Sequence, residues 1–422
     1  MPEAEASISK NKDGRVIRFP SEYSFGHLYT TDERGNEDFF AEAAGDVVVP
    51  SRKSLDLMVS WTASENLQPL RQLAADDLHS LNFTCTRVKQ SELKNISGLS
   101  GLKKLLLGGT EIGDQALQHV AALSALEELD LGHTNVSDFG MRHLIGLNNL
   151  RVLKLPGTAV TKSGIKILAG LKSLAVLHLD QTRVNDDAIR ELRALSSLRE
   201  LRLDGCPFEG KAFDALSSLP LTVLHLEDTK VSDKSASLLC QYPSLERLCL
   251  SNTKVTGKEM NWLAPLKNLQ ELCICRLPLS ASALSSIGGL AKLDSLWLAD
   301  TGVKDDYLKG LEPLYKLELL SLNDTKIGDY GVLSLEKLVG LRALWLVETR
   351  VTDAALQSLK RLRKLIRLNL FHTNVTDKAV EALAEMDNLA ELNLARTRVS
   401  DQGLEVLRKA LPYCRLITTP FV

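Results

Sequence analysis

A threonine returns at a fixed interval along most of this chain. Successive threonines are 24 residues apart, except for a step of 23 residues between Cys206, which stands in place of a threonine, and Thr229. Leu277 stands in the same place one period after Thr253. The threonines of the series are Thr86, Thr110, Thr134, Thr158, Thr182, Thr229, Thr253, Thr301, Thr325, Thr349, Thr373 and Thr397. A period of this length predicts a solenoid, in which each unit buries its apolar face against the next unit.

Each repeat carries the pattern of a strand followed by a short helix. In the unit Leu341–Asp353, apolar residues alternate with polar or variable ones, which predicts a strand with one buried face. Beyond it, Leu356 and Leu359 are spaced by three residues, which predicts a helical turn with one apolar stripe. A Ser/Thr-Asp pair, here Thr352-Asp353, lies between the two patterns and predicts a helix N-cap. The buried threonine hydroxyl is expected to satisfy backbone groups of the turn.

The repeats resemble those of the leucine-rich repeat superfamily. Residues 373–383 and 397–407 are similar to the 24-residue threonine-type repeats of bacterial proteins, including planctomycete ones. The resemblance extends from about Leu78 to Leu411. It implies an α/β fold, a right-handed leucine-rich-repeat solenoid or horseshoe with a parallel concave sheet and short convex helices. It also implies binding of another macromolecule, usually a protein, through positions that vary between repeats.

Four regions are predicted along the chain. They are a disordered lead at 1–12, a small β-rich N-terminal cap at 13–66, a leucine-rich repeat solenoid of about fourteen repeats at 67–412, and a C-terminal tail at 413–422. The cap is predicted from short apolar runs, separated by Gly and Pro, at 16–19, 27–29, 47–49 and 55–59. It would cover the core that a solenoid leaves open at its end. Because Leu57 lies one period before Leu81, the first repeat strand is expected inside the cap.

The composition points to a globular protein without a strongly charged partner. Charged residues make up 25% of the 422 residues, hydrophobic residues 44%, and the formal net charge is −2. This balance does not favour nucleic acid or an anionic membrane as a partner. The start of the chain lacks a secretory signal pattern, and no apolar run is long enough to span a bilayer. Seven scattered cysteines favour a reducing compartment. We therefore expect a cytoplasmic, monomeric, bacterial protein.

The variable strand positions are the candidate binding residues. The position four residues before each threonine is expected to point outward from the sheet, and a row of such side chains forms a long surface. The polar and aromatic candidates in or beside this row are His178, Arg202, His225, Trp297, Trp345 and Phe371. Exposed tryptophans on a strand face are typical interface anchors. Alternatively, the two tryptophans shield the sheet or pack on each other.

Acidic residues precede many of the threonines by one or two positions. The candidates for partner binding among them are Asp180, Asp204, Asp300, Asp324 and Glu348, and Glu227 and Asp228 share these positions. Read alone, this row predicts an acidic groove for a basic partner. Basic residues follow the threonines directly, at Arg183, Lys230, Lys254, Lys326, Arg350 and Arg398. Two interpretations are open: the rows neutralise each other in weak exposed pairs, or the acidic row steers a partner.

Metal binding and catalysis have little support in the sequence. His225, Cys249 and Cys273 fall in one row, with Cys275 nearby, and could in principle be metal ligands. Neighbouring side chains on a sheet diverge, however, so they are expected to be small residues on a groove floor. The motifs of phosphate-binding loops, dinucleotide sites, zinc proteases and serine hydrolases are absent from the sequence. We therefore expect no enzyme, no metal and no cofactor.

The sequence thus predicts a non-catalytic protein–protein interaction scaffold that binds a protein on its concave face. One alternative is an assembly module that recognises its ligand through the N-terminal cap. Another follows from similar repeats in bacterial effectors that act as substrate receptors of host ubiquitin ligases. Those effectors carry an F-box before the repeats, and residues 1–65 show no helical F-box pattern.

Overall fold

A computed structural model describes residues 14–31, 36–50 and 53–419 of the chain. The lead predicted for residues 1–12 lies outside the described residues. The chain packs into two compact units. The first comprises Met1–Pro207 with Ser218–Pro220, and the second comprises Phe208–Ser217 with Leu221–Val422.

The N-terminal part of the first unit is built from antiparallel strands. Strand β1 (Gly14–Arg18) pairs with β4 (Asp46–Pro50), and β2 (Gly26–Thr31) pairs with both β3 (Glu37–Glu42) and β5 (Asp56–Val59). Four of these strands coincide with the apolar runs predicted for the cap. The fifth, β3, was missed, because its side chains are all exposed or half-buried and so show no alternation of polar and apolar residues.

Parallel strands, one per repeat, follow in the first unit. Strand β5 pairs in parallel with β6, with Leu57 opposite Leu81, so the repeat ladder begins inside the predicted cap. Each later strand pairs with the one before it at the same offset of one repeat. These strands are β6 (Ser80–Asn82), β7 (Lys104–Leu106), β8 (Glu128–Asp130), β9 (Val152–Lys154), β10 (Val176–His178) and β11 (Glu200–Arg202).

The second unit contains nine further parallel strands. They are β12 (Val223–His225), β13 (Arg247–Cys249), β14 (Glu271–Cys273), β15 (Ser295–Trp297), β16 (Leu319–Ser321), β17 (Ala343–Trp345), β18 (Arg367–Asn369), β19 (Glu391–Asn393) and β20 (Arg415–Ile417). Strand β20 lies in the region predicted as a tail, and pairs with β19 because Leu416 falls one period after Leu392. Strands β5 to β20 number sixteen, whereas about fourteen repeats were predicted for residues 67–412; β5 lies in the predicted cap and β20 in the predicted tail.

Short helices connect the strands, as the three-residue spacing of the leucines predicts. The α-helices are α1 (Leu117–Val120), α2 (Asp138–Met141), α3 (Lys162–Leu168), α4 (Asp186–Ile189), α5 (Phe213–Leu216), α6 (Asp233–Ala236), α7 (Ala281–Gly288), α8 (Asp329–Ser334), α9 (Asp353–Leu359), α10 (Val380–Ala384) and α11 (Asp401–Ala410). Short 3₁₀ helices lie at Ala63–Glu65, Gln68–Gln72, Gln90–Ile96, Asp114–Ala116, Arg142–Leu144, Arg190–Ala194, Ser237–Gln241, Asn261–Leu263, Asp305–Leu311, Leu335–Lys337 and Asp377–Ala379. Among the described residues, no helix is both long and apolar enough to cross a membrane.

The repeating threonine holds the turn that follows each strand. Thr325 is 5% exposed, and its hydroxyl donates to the backbone carbonyl of Leu322 at 2.6 Å. The same hydrogen bond, to the carbonyl three residues earlier, is made by Thr86, Thr110, Thr134, Thr158, Thr182, Thr229, Thr253, Thr301, Thr349, Thr373 and Thr397. The predicted structural role of the threonines is therefore confirmed.

Replacing Thr325 by valine is expected to lower the free energy of unfolding by about 1 kcal/mol or more. Valine keeps the shape of threonine but leaves the Leu322 carbonyl without the donor that satisfies it in the buried turn. Urea denaturation followed by circular dichroism measures the change, and Thr325→Ser, which keeps the hydroxyl, is the control. An unchanged denaturation midpoint for Thr325→Val would show that this hydrogen bond does not stabilise the protein.

The aspartate at each helix start joins one repeat to the next, which the sequence reading did not predict. Asp353 accepts hydrogen bonds from both the backbone N–H and the hydroxyl of Thr376, at 2.6 and 2.7 Å. The same two bonds link Asp114 to Ser137, Asp138 to Thr161, Asp233 to Thr256, Asp329 to Thr352 and Asp377 to Ser400. The bonds from Ser400 hold the pKa of Asp377 below its ordinary value. Ser137, Thr376 and Ser400 also cap their own helices through their side chains, whereas the capping bond predicted for Thr352 is not formed.

Candidate functional site

In each unit, the outward side chains of the parallel strands form one continuous set of positions. The middle residue of a strand is buried, as Leu296 of β15 is, and the residues on either side of it point the other way. We call the first and third residues of strands β5–β11 the open face of the first unit. The same positions of strands β12–β20 form the open face of the second unit.

Trp297 and Trp345 stack on each other on the open face of the second unit. Their rings are 5.3 Å apart at 17°, although they belong to β15 and β17, which are separated by β16. The residue between them is Ser321, whose small side chain is 1% exposed and leaves room for the rings to meet. Both tryptophans remain half-buried rather than fully covered. Mutual packing, one of the two alternatives for this pair, is therefore present, and a partly exposed aromatic surface remains.

Phe371 is not part of this stack. Among the described residues its ring contacts the neighbouring His372, at 6.1 Å, and the guanidinium of Arg396, at 5.5 Å, and neither tryptophan. It is half-buried beyond the end of β18. Phe371 therefore follows the strand next to that of Trp345, but its ring does not contact the stacked pair.

His178 and Arg202 meet at a carboxylate on the open face of the first unit. Nε2 of His178 lies 2.8 Å from Oε1 of Glu200, and Nε of Arg202 donates to the same oxygen at 2.9 Å. Burial raises the pKa of Glu200, but the hydrogen bonds and charges of His178 and Arg202 outweigh it, so the pKa lies below its ordinary value. Glu200 lies at the first strand position, six residues before Cys206, and was not among the predicted candidates. His225 is half-buried on the open face of the second unit.

A second carboxylate on the open face is paired in the same way. Glu128 of β8 lies between two lysines, with Lys154 at 2.9 Å and Lys104 at 3.5 Å. Burial raises the pKa of Glu128, but these two lysines lower it below its ordinary value. Looser pairs join Arg247 to Glu271 at 4.0 Å and Arg415 to Glu391 at 3.6 Å. Opposite charges at the first strand position are thus matched between strands.

Replacing Glu128 by glutamine is expected to lower the free energy of unfolding by about 1 kcal/mol near pH 7. Since the pKa of Glu128 is lower in the folded state, its contribution is present above the ordinary value of 4.5 and disappears as the pH falls through the folded value. Urea unfolding at about pH 7 and about pH 3 should therefore show the difference between variant and wild type shrinking in acid. A difference that is constant over this range would contradict the pairing.

The residue just before the threonine adopts a left-handed backbone conformation in most repeats. Three of the predicted acidic candidates, Asp300, Asp324 and Glu348, lie there with φ between 52° and 56°. The other residues in this conformation at the same place are Cys85, Gly109, His133, Gly157, Gln181, Gly205, Asp228, Asn252, Arg276, His372 and Arg396. The sequence contained a signal for it, since Gly, Asn and Asp tolerate positive φ and recur at this position.

The acidic rows of the two units differ in their contacts. In the first unit, Asp180 accepts a hydrogen bond from the backbone N–H of Asp204 at 3.1 Å. In the second unit, no Lys or Arg of the described residues lies within salt-bridge distance of Asp300, Asp324 or Glu348. Glu348 lies 3.4 Å from the ring of His372 and is hydrogen-bonded to Asp324. Burial, together with the nearby charges of Glu348 and Asp300, raises the pKa of Asp324. The expected neutralising pairs are therefore not formed by these three carboxylates.

A pocket of about 500 Å³ lies beside the stacked tryptophans. Its lining includes Trp297, Asp300, Asp324, Cys273 and Cys275, all of the second unit. Burial raises the pKa of the Cys275 thiol, which therefore stays protonated near neutral pH. Among the described residues, no group of three or more His, Cys, Asp or Glu side chains is arranged to hold a metal ion.

Two protein-family models match the sequence of this chain. The family described as "Leucine-rich repeat region" matches residues 56–312, and the family "Leucine Rich repeat" matches residues 361–384. The chain belongs to the leucine-rich repeat family. The first match begins at Asp56, the first residue of β5, where the parallel ladder starts.

Solved structures share the fold of this leucine-rich repeat protein at low sequence identity. An internalin from Listeria monocytogenes is 20% identical with a TM-score of 0.55, covering 85% of this chain and 95% of its own. A leucine-rich repeat protein from Leptospira interrogans is 22% identical with a TM-score of 0.55, covering 84% and 97%. The structure of TLR13 in complex with ssRNA13 is 19% identical with a TM-score of 0.54, covering 78% and 50%. No curated protein matches the sequence significantly.

Proposed function

We propose that this leucine-rich repeat protein is a non-catalytic scaffold that binds a protein partner on the open face of its second unit. The observation that carries the proposal is the stacked pair of Trp297 and Trp345, which presents a rigid aromatic surface beside a pocket. Aromatic side chains of this kind are the commonest anchors of protein interfaces, because they bury a large area with few rotatable bonds. In this proposal the other candidates of the second unit contribute contacts around the anchor; they are His225, Phe371, Asp300, Asp324 and Glu348.

A protein suits this surface better than a nucleic acid does. The phosphate backbone of a nucleic acid requires clustered positive charge, whereas the edge of the open face carries Asp300, Asp324 and Glu348. The net charge of the whole chain, −2, adds no basic surplus. The RNA complex of TLR13 therefore suggests only a shared fold.

The cytoplasm is the proposed location, and a monomer the proposed state. All seven cysteines are free, although several are at least partly accessible, and this usage favours a reducing compartment. The described part of the predicted cap contains strands and one 3₁₀ turn, Ala63–Glu65, rather than the helices of an F-box. A role as a ubiquitin-ligase substrate receptor is therefore not favoured.

The double variant Trp297→Ala/Trp345→Ala is expected to lose partner capture by at least about tenfold, because it removes the proposed anchor. The tagged protein and the variant are used to capture proteins from the native organism, and bound proteins are quantified by mass spectrometry. The matched control is Trp61→Ala, which removes another exposed tryptophan, 49% exposed and stacked on Arg87 in the N-terminal part of the first unit.

The melting temperatures of both variants separate binding from folding. Loss of capture in the double variant, with unchanged melting and with normal capture by Trp61→Ala, is the expected result. Capture that survives the double variant but is lost in Trp61→Ala would place recognition at the N-terminal cap instead.

A further inference from the structure

Three carboxylates form a negative edge on the second unit, where the ring of His372 lies 3.4 Å from Glu348. Asp300, Asp324 and Glu348 lie three residues after the ends of strands β15, β16 and β17, and the backbone holds all three in the same left-handed conformation. Parallel strands lie about 4.8 Å apart, so the three side chains emerge side by side along one edge. Burial and the charges of its two neighbours, Glu348 and Asp300, raise the pKa of Asp324.

Several other carboxylates on the open faces lie close to basic side chains. Glu128 and Glu200 each lie within hydrogen-bond distance of two basic side chains. Glu271 and Glu391 each face an arginine of a neighbouring strand. The basic residues closest in sequence to the negative edge, Lys326 and Arg350, line a second pocket together with Arg276 and the three carboxylates. Among the described residues, no salt bridge joins these cations to the carboxylates.

The pocket beside Trp297 is lined by two of the same carboxylates. Asp300 and Asp324 line it together with Trp297, and its other charged lining residues are Glu227 and Arg276, so acidic residues outnumber basic ones. The indole Nε1 of Trp297 is buried and has no hydrogen-bond partner among the described residues. A buried donor without an acceptor costs free energy, so this pocket wall is incompletely satisfied in the protein alone.

We propose that this edge docks a basic segment of the protein partner, with a lysine or arginine side chain entering between Trp297 and the carboxylates of Asp300 and Asp324. The inference rests on the proposed function, since it names the chemistry of the partner at the same face. The cation would offset the three negative charges and lie against an indole ring, an arrangement that is attractive on both counts.

A peptide segment fits this edge better than an isolated cation. Among the described residues the carboxylates are not arranged as a metal site. A peptide brings a cationic side chain for the carboxylates and also backbone carbonyls, which can accept from Trp297 Nε1 once side chains adjust to the ligand. Phosphate groups, in contrast, would be repelled by the negative edge.

The probe for this inference is a fluorescein-labelled octalysine peptide, with labelled octaglutamate as the opposite-charge control. Binding to the full chain is measured by fluorescence anisotropy. The variant Asp324→Asn/Glu348→Gln is expected to weaken octalysine binding by about tenfold or more, and salt at about 0.5 M should weaken binding to the wild type. The matched variant Asp306→Asn/Glu312→Gln makes the same charge change at exposed positions of the helical side and is expected to bind octalysine as the wild type does.

The failure of this inference can be told apart from that of the proposed function. Octalysine that does not bind the wild type, that binds both double variants equally, or that binds no better than octaglutamate, overturns the basic-segment inference. If the captured natural partner is lost by Trp297→Ala/Trp345→Ala but kept by Asp324→Asn/Glu348→Gln, the protein-binding face stands and the basic segment does not. If the tryptophan variant keeps the partner, the proposed function itself fails. The melting temperature of Asp324→Asn/Glu348→Gln should not fall, because the substitutions relieve repulsion.

Discussion

Replacing Leu320 by alanine is expected to destabilise the protein by about 3–5 kcal/mol. Leu320 is the middle residue of β16, and it faces Leu296 and Leu344 of the adjacent strands in direct register. All three side chains are 0% exposed, so alanine would leave a cavity that the stacked neighbours cannot fill without moving the ladder. Urea unfolding followed by circular dichroism measures the loss.

The same substitution at a surface leucine is the control for Leu320→Ala. Leu333 of α8 is 52% exposed, so Leu333→Ala removes the same atoms from a place where they bury little area. We expect its effect to stay within about 0.5 kcal/mol. Equal losses for the two variants would contradict the placement of the buried leucine row.

Replacing Gly288 by alanine is expected to cost about 3 kcal/mol, because two repeats touch there through their backbones. A Cβ atom at Gly288, the last residue of α7, would lie 2.0 Å from the carbonyl oxygen of Gly310. Gly310 is equally confined, since its own Cβ would lie 2.7 Å from the backbone nitrogen of Ser285. Neither contact can be relieved by rotating a side chain, so the repeats would have to separate.

Gly98→Ala is the matched control, because a Cβ at Gly98 meets no atom within 4 Å. Its free energy of unfolding should match that of the wild type to within about 0.5 kcal/mol. If Gly288→Ala were as stable as Gly98→Ala, the close approach of α7 to the turn at Asp305–Leu311 would be wrong. Differential scanning calorimetry of the two variants provides an independent measurement.

The regular part of this fold could be predicted from the sequence because it depends on contacts that repeat. The 24-residue period sets the register of Leu57 with Leu81 at one end and of Leu392 with Leu416 at the other. The same period identifies the buried threonines, since each one serves its own turn. Strand β3 was not predicted, because neither of its faces is buried and its sequence therefore lacks an alternation of polar and apolar residues.

The contacts between repeats were harder to predict, because they depend on how far a side chain reaches. Asp353 looked like a residue at the start of a helix, and its bonds to Thr376 require the exact stacking of two repeats. Likewise, the meeting of Trp297 and Trp345 depends on the small Ser321 between them. The sequence pattern placed these residues on one face, but it did not determine which side chains are in contact.

The charges of the open face show the same limit. The sequence placed an acidic row beside a basic row, and adjacency in sequence suggested that the two would neutralise each other. Burial and the charges of Glu348 and Asp300 raise the pKa of Asp324, and among the described residues Lys326 and Arg350 form no salt bridge to it. Adjacency in the sequence therefore does not determine which charges pair in the structure.

Photo-crosslinking with p-benzoylphenylalanine tests most directly whether the partner lies on the open face of the second unit. The amino acid is introduced separately at Arg367, an exposed residue of that face, at Val48 of the cap and at Tyr330 of the helical side, which are 65% and 82% exposed. Irradiation with the captured partner is expected to produce a crosslinked product from position 367 and none from positions 48 and 330. Crosslinking from position 48 or 330, with none from position 367, would contradict the account.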